Sequence, residues 1–174
     1  LLLDCDCVPT KIFLLDYCII ISLLYNPICL GYLCIINAIR MTKSRLQITL
    51  DGSHTLFNTF VDETYHSSFG AIQESKHIFI KHGLAHFKDN LKIVKILEVG
   101  TGTGLNVLLS YLWAEENNVG IEYEGFEPFP LQQYEVASLN YSELLSIKNE
   151  IFSLIHSNEN KEIELSNRFI LKIF

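Results

Sequence analysis

The stretch Glu98-Val99-Gly100-Thr101-Gly102-Thr103-Gly104-Leu105-Asn106 constrains this chain more than any other. It follows Lys92 to Val99, a short run rich in β-branched residues that suits a buried parallel strand. It opens Leu105 to Glu115, which reads as a helix ended by Asn117-Asn118. A glycine-rich bend between strand and helix is the setting that a nucleotide-binding loop requires. Glycines let the backbone turn sharply and let a ligand approach with no Cβ in the way. The spacing excludes two common loop types. A dinucleotide loop, G-x-G-x-x-G/A, needs a small residue at its last position; that position is Leu105 counted from Gly100 and Val107 counted from Gly102. A phosphate P-loop needs Gly-Lys-Ser/Thr, and this loop holds no lysine.

A second acid strengthens the reading. Gly120 to Glu127 reads as the next strand, closed by Pro128 and Pro130, with Pro130 suited to the first turn of the following helix. An acid at the end of that strand accepts hydrogen bonds from both hydroxyls of a ribose, by the geometry used in dinucleotide folds. Each such bond to a charged acceptor is worth about 1.5–3 kcal/mol. A plain strand-to-helix turn and a solvated carboxylate are the bland alternatives. Three alternating glycines with an acid at each of two strand ends favour a nucleoside site over both.

The pattern E-x-G-x-G-x-G resembles the first motif of class I (Rossmann-like) methyltransferases. In that family the loop passes under the amino-acid and ribose portions of S-adenosylmethionine. The resemblance implies S-adenosyl-L-methionine as cofactor, with Glu98, Gly100, Gly102, Gly104 and Asn106 around it. Glu98 would lie near its amino-acid end and Glu127 on its ribose. No metal is expected.

The flanking segments supply the rest of the fold. Leu46 to Phe60 reads as a hairpin turning on Asp51-Gly52, whose positions need positive φ. Ala71 to His82 predicts a helix with Ile72, Ser75, Phe79 and His82 on one side, Ile78 beside them, and Gly83 as its stop. Asp89-Asn90 marks a loop. Leu131 to Leu139 and Ser142 to His156 read as helices, the second burying Leu145, Ile151, Phe152 and Ile155; Ile163 to Phe174 reads as a strand or hairpin. The expected architecture is α/β: an incomplete Rossmann-like class I methyltransferase sandwich preceded by a β-hairpin and helix.

Composition divides the chain near Met41. All five cysteines precede that methionine, all six histidines follow it, and Tyr17 to Ile39 carries no charge. The positive mean hydropathy belongs mostly to this first segment. Its length would let it span a bilayer, which takes roughly 20 apolar residues. A secretory signal fits less well, since there is no basic start and no small-residue cleavage site. The favoured reading is that residues 1–40 are an apolar leader translated from upstream sequence, because the chain begins with Leu and has Met41 as its only methionine. Residues 41–174 would then be the N-terminal part of the methyltransferase domain, with no membrane attachment. Cys5-Asp6-Cys7 has no second pair to complete a zinc site. Residues 41–174 contain no cysteine, which fits a cytoplasmic protein. The net charge of −7 argues against a broad electrostatic grip on nucleic acid.

Three stretches carry a narrower resemblance: DGSHTLFNTFVDETYHSSFGAIQESKHIFIKHGL from Asp51 to Leu84, ILEVGTGTGLN from Ile96 to Asn106, and YEGFEPFPL from Tyr123 to Leu131. Together they look like the methyltransferase that finishes 5-methylaminomethyl-2-thiouridine at the wobble position of bacterial tRNA. That family occurs alone or fused to an FAD-dependent oxidoreductase. The resemblance implies methyl transfer from S-adenosylmethionine to the primary amine of 5-aminomethyl-2-thiouridine, with tRNA as substrate. It also places Tyr65, His66, Ser67, Gly70 and Glu74 in a wall over cofactor or target base, with Glu74 the strongest of these candidates; His66 and His77 read more readily as structural. In the family the acid facing the amine comes from an aspartate-containing stretch after a later strand, followed by a tryptophan. No such stretch occurs up to Phe174, and Trp113 reads as packing. The catalytic residue is therefore expected beyond Phe174, and the chain as it stands is expected to be an incomplete, inactive fragment. A small-amine methyltransferase and a catalytically dead cofactor-binding module remain alternatives.

Overall fold

The structure, a computed structural model, describes residues 2–5, 8–12, 44–87, 92–157 and 161–174. Its elements in chain order are β1 (Leu2–Cys5), β2 (Val8–Ile12), β3 (Arg45–Ile48), β4 (His54–Asn58), β5 (Glu63–Thr64) and α1 (Ala71–Ser75). A π-helical segment (Lys76–Lys81) and a 3-10 turn (Leu84–Phe87) follow. Then come β6 (Ile93–Val99), α2 (Leu105–Asn117), β7 (Gly120–Phe126), α3 (Gln133–Ser138), α4 (Tyr141–Leu144), α5 (Asn149–Ile155), β8 (Ile163–Ser166) and β9 (Phe169–Ile173).

The larger sheet has the order β2-β1-β6-β7-β9-β8. Its centre is parallel: β7 runs alongside β6 in the register Val94↔Ile121 and Ile96↔Tyr123, and β9 alongside β7 in the register Ile121↔Phe169 and Tyr123↔Leu171. Strand residues alternate faces, so Val94, Ile96, Ile121, Tyr123, Phe169 and Leu171 share one side, and all six are buried. Helix α2 covers that side. It is apolar almost all round, with Leu105, Val107, Leu108, Leu109, Trp113 and Ala114 buried. Such a helix needs cover on two sides: the sheet supplies one, and α1 with the π-helical segment supplies the other. Trp113 is core, as expected. The opposite side of the sheet leaves Ile93, Val99, Phe126, Ile170 and Phe174 exposed around an exposed Lys95–Glu122 ion pair.

The expected α/β architecture is present, with a parallel-containing sheet after a hairpin and helix. Several local expectations need correction. The hairpin is real, pairing Arg45↔Phe57 through Ile48↔His54, and β5 extends it to three strands. Its connection is the five residues 49–53 rather than a two-residue turn, and of Asp51 and Gly52 only Gly52 has positive φ. The reason is that Asp51 caps the next helix. Its carboxylate accepts from Thr49 Oγ1 at 2.7 Å, from the Ser53 hydroxyl and N–H, and from Gln73 N–H at 2.9 Å. Burial raises the Asp51 pKa, but these donors outweigh it and hold the value at about 2.

The helix expected over 71–82 becomes π-helical after Ser75. The wider turn rotates the buried stripe, so Ile78 and His82 are exposed while Ile80 packs on the core. Pro130 precedes rather than opens α3, which starts with Gln132 and Glu135 in a reciprocal capping box. The helix expected over 142–156 is two, broken at Ser146 with φ 53°. Phe152 and Ile155 are buried as expected, with Leu145 and Ile151 packed beside them. Residues 163–173 form the hairpin β8–β9.

Near the N-terminus, β1 pairs antiparallel with β6 in the register Leu2↔Leu97, and β2 with β1. The uncharged run Tyr17 to Ile39, Cys7 of the C-x-C pair and the loop at Asp89-Asn90 lie outside the described residues. Among the described residues no helix is long and apolar enough to cross a membrane.

Phe169 ties the core together, stacked on Tyr123 with centroids 5.9 Å apart and edge-on to Tyr111 at 5.8 Å. Phe169→Ala should cost about 3–5 kcal/mol of unfolding free energy in urea titrations. A loss below about 1 kcal/mol would mean that this side of the sheet is not the packed one.

Candidate functional site

The glycine bend sits where β6 and β7 end side by side. Gly100 N–H donates to the carbonyl of Phe126 at 2.8 Å, tying the loop to the end of β7. The next residue, Glu127, turns its carboxylate back under the loop. Its Oε2 accepts the Gly102 N–H at 2.6 Å, and its Oε1 accepts the Phe129 N–H at 2.9 Å. Gly104 N–H closes a turn onto the Thr101 carbonyl at 2.9 Å, and the Gly104 carbonyl starts α2 by accepting from Leu108 N–H.

Two of the glycines are required by what surrounds them. Gly102 has φ +52°, and a Cβ there would lie 2.8 Å from Cδ1 of the Tyr65 ring. Gly104 has φ +73°, and its Cβ would lie 2.9 Å from Ile155 Cγ2 and 3.0 Å from His156 Nε2. Both conflicts are sub-van-der-Waals, and both backbones are in the left-handed region that L side chains rarely adopt. Gly100 differs: a Cβ there would meet nothing within 4 Å, so this corner of the loop faces open space.

Glu98 is buried directly behind the loop. Its Oε1 accepts from Asn106 Nδ2 at 2.8 Å and its Oε2 from the Tyr123 hydroxyl at 2.7 Å. Burial raises its pKa from 4.5 to about 7; the two hydrogen bonds act against that rise and the charge of Glu127 adds to it. Two buried oxygens beside this network, Asn106 Oδ1 and Thr101 Oγ1, have no hydrogen-bond partner among the described residues.

The segment Tyr65–Ser67 lies across the loop. Besides the Tyr65 ring against Gly102, His66 Nε2 is 2.6 Å from Thr103 Oγ1. Glu74 holds this segment in place by accepting the Ser67 N–H at 2.8 Å. From the other side, His156 Nε2 reaches the Thr103 carbonyl at 3.2 Å. Burial lowers the pKa of both imidazoles to about 4, so both are neutral at neutral pH.

Comparison with known proteins adds a family to this geometry. No protein-family model matches the chain. The bifunctional protein MnmC of tRNA 5-methylaminomethyl-2-thiouridine biosynthesis from two Leptospira interrogans serovars, copenhageni and Lai, is 35% identical over 102 residues. That match covers 53% of this chain but only 16% of the relatives' length. The crystal structure of MnmC2 from Aquifex aeolicus superposes with a TM-score of 0.59 and 26% identity, over 83% of this chain and 48% of that one. These matches support an MnmC methyltransferase-type domain in this chain.

Within this MnmC-type domain the residues expected at the cofactor occupy three different situations. Gly100, Gly102, Gly104 and Glu127 form the bend itself. Glu98 and Asn106 support it from behind, bonded to each other rather than turned outward. Glu74 anchors the segment above the bend by accepting the Ser67 N–H. Gly70 lies away from the loop, where a Cβ would strike the Asp51 carboxylate at 2.8 Å. His77 is elsewhere too, exposed against the His82 ring at 4.5 Å between centroids. Thr103, Tyr123 and His156 also belong to the network, with Tyr141 edge-on to the His66 ring at 6.4 Å between centroids, and none of the four is marked by the sequence. Their roles depend on contacts across tens of residues, and no local pattern marks them.

The raised pKa of Glu98 gives a signed prediction. The folded chain holds this proton more tightly than the unfolded chain does. The associated stability is therefore complete below about pH 4.5 and lost as pH rises through 7. Glu98→Gln cannot titrate, and its amide can both accept from Asn106 and donate to the Tyr123 oxygen. The stability of wild type relative to Glu98→Gln should fall by about 3 kcal/mol between pH 4.5 and 8 in urea titrations. A difference that stays constant with pH would remove Glu98 as a buried proton holder.

Proposed function

We propose that this domain binds S-adenosyl-L-methionine and serves methylation of the aminomethyl group of 5-aminomethyl-2-thiouridine at the wobble position of tRNA. The observation that carries the reading is the Glu127 carboxylate seated against the Gly102 N–H of a three-glycine bend. A carboxylate offers about four lone-pair sites. Two of Glu127's are used by backbone N–H groups, which leaves acceptors for the two hydroxyls of a ribose. The residues present fit the cofactor in two further respects. Gly100 borders open space, so a ligand can approach the backbone there. Asn106 Oδ1 and Thr101 Oγ1 are buried oxygens still able to take a donor or a bridging water.

Bound S-adenosyl-L-methionine would supply a methyl group already activated on a sulfonium. The chain's own contribution is then alignment and exclusion of water rather than nucleophile activation. Glu127 would orient the ribose. The bend would set the distance of the amino-acid portion, and Glu98 would hold Asn106 in place beneath it. The attacking amine must be neutral, which a carboxylate or a low-dielectric pocket favours. No described residue is assigned that role. The relatives' name supplies the tRNA nucleoside and the word bifunctional; an FAD-dependent oxidoreductase, fused or separate, would be the partner activity. The setting is cytoplasmic, where tRNA is modified. A small-amine substrate is the second reading, favoured by the net charge of −7.

Titrating the chain with S-adenosyl-L-methionine in a calorimeter should give a saturable heat. Glu127→Ala should weaken it by at least about tenfold, the equivalent of one lost hydrogen bond to a charged acceptor. Glu74→Ala should weaken it less. No heat from wild type would remove the cofactor reading. For the substrate, tRNA nucleosides from a strain lacking the gene should accumulate the unmethylated aminomethyl form. An unchanged nucleoside profile would shift the reading to a small amine.

A further inference from the structure

Thr103 lies at the centre of the glycine bend. It is 1% exposed, and its hydroxyl and its carbonyl are each met by an imidazole from a distant part of the chain. Polarity is fixed where the acceptor cannot donate. The Tyr141 hydroxyl donates to the His54 carbonyl at 2.6 Å. The Tyr141 ring stands edge-on to the His66 ring, with centroids 6.4 Å apart. His66 Nε2 and Thr103 Oγ1 share a hydrogen bond at 2.6 Å. On the other side the Thr103 carbonyl is acceptor-only, so His156 Nε2–H is the donor, at 3.2 Å. The carbonyl thus fixes the His156 ring as its Nε2–H tautomer, and both rings point at one residue.

We propose that His66 and His156 are positioning residues for the cofactor loop, clamping Thr103 between them so that the Gly102–Gly104 turn keeps the shape that a bound nucleoside needs. The inference rests on the cofactor reading above and deepens it. The two histidines arrive from opposite sides of the loop in sequence, 37 residues before Thr103 and 53 after it. Neither is needed to start α2, whose first turn is closed by backbone groups alone. Their hydrogen bonds go instead to the one loop residue between Gly102, which is bonded to Glu127, and Gly104, which abuts the His156 ring. Preorganisation of this kind raises affinity by lowering the ordering cost on binding. The His66 arm also couples the loop to the Tyr65–Ser67 segment that Glu74 anchors. This gives the N-terminal hairpin unit a direct say in cofactor affinity.

The test is calorimetric titration of S-adenosyl-L-methionine into wild type, His66→Ala, His66→Gln, His156→Ala, Thr103→Val and the pairwise combinations, with thermal midpoints recorded alongside. His66→Ala and Thr103→Val should each weaken binding about tenfold, as loss of one buried hydrogen bond implies. Their combination should be no worse than either alone, because both delete the same bond. His66→Gln, which keeps an N–H at similar reach, should recover most of the affinity. His156→Ala should add its own loss to Thr103→Val, since valine keeps the carbonyl. Thr103→Val is nearly isosteric, so it reports on the clamp even if a histidine variant folds poorly. Wild type that fails to bind removes the cofactor reading and this inference with it. Wild type that binds while Thr103→Val or His66→Ala binds equally well overturns the clamp alone. So does failure of His66→Gln to recover affinity with thermal midpoints unchanged.

Discussion

The hydrogen bond from Gly102 N–H to the Glu127 carboxylate is the contact on which the rest of the site depends. It links the ends of two adjacent parallel strands at the point where the chain leaves one for a helix and the other for a loop. Strand pairing sets the spacing: Val99 lies opposite Phe126, so the bend and the acid emerge side by side. The buried face of the sheet fixes that register, because a one-residue slip of β6 would move Val94, Ile96 and Glu98 to the open face. Geometry at the loop is therefore inherited from packing far below it.

The loop, its acid and the α/β order could be read from the sequence because they rest on local patterns: a β-branched run, alternating glycines, an acid at a strand end. The hairpin could be read for the same reason. Its turn could not, because Asp51 is committed to Gln73 N–H, a partner 22 residues away. The π-helical segment was missed for a related reason. Its apolar residues satisfy a 3.6-residue period on paper, but Ile80 is the one that reaches the core and Ile78 is left outside. Glu74, a candidate for ligand contact from the sequence, also accepts the Ser67 N–H, a contact the sequence did not mark. In each case tertiary partners overrode a local preference.

The sheet is unevenly covered. Parallel strands ordinarily carry helices on both faces. Here α2 covers the Val94–Ile121–Phe169 face, while the other leaves Ile93, Val99, Phe126, Ile170 and Phe174 exposed. The Lys95–Glu122 pair in their midst is exposed on both sides, and such a pair contributes less than about 1 kcal/mol. On the covered face sit Glu98, Tyr123 and the start of α2, which support the loop from behind. The site is therefore built on the half of the sandwich whose packing is complete within the described residues.

Glu98 and Glu127 show how little residue type settles by itself. Both are glutamates at the ends of neighbouring parallel strands. Glu98 faces inward, where a hydroxyl and an amide are its donors, and burial lets it keep a proton near neutral pH. Glu127 faces the loop, where its donors are two backbone N–H groups, and it is only half-buried. The difference arises from strand alternation. Glu98 is the last inward position of β6, whereas Glu127 lies one residue beyond β7, where the backbone has left the sheet and the side chain can fold back under the bend. One carboxylate thereby braces the loop from behind, and the other, held against the loop's backbone, is the one proposed to meet a bound ribose.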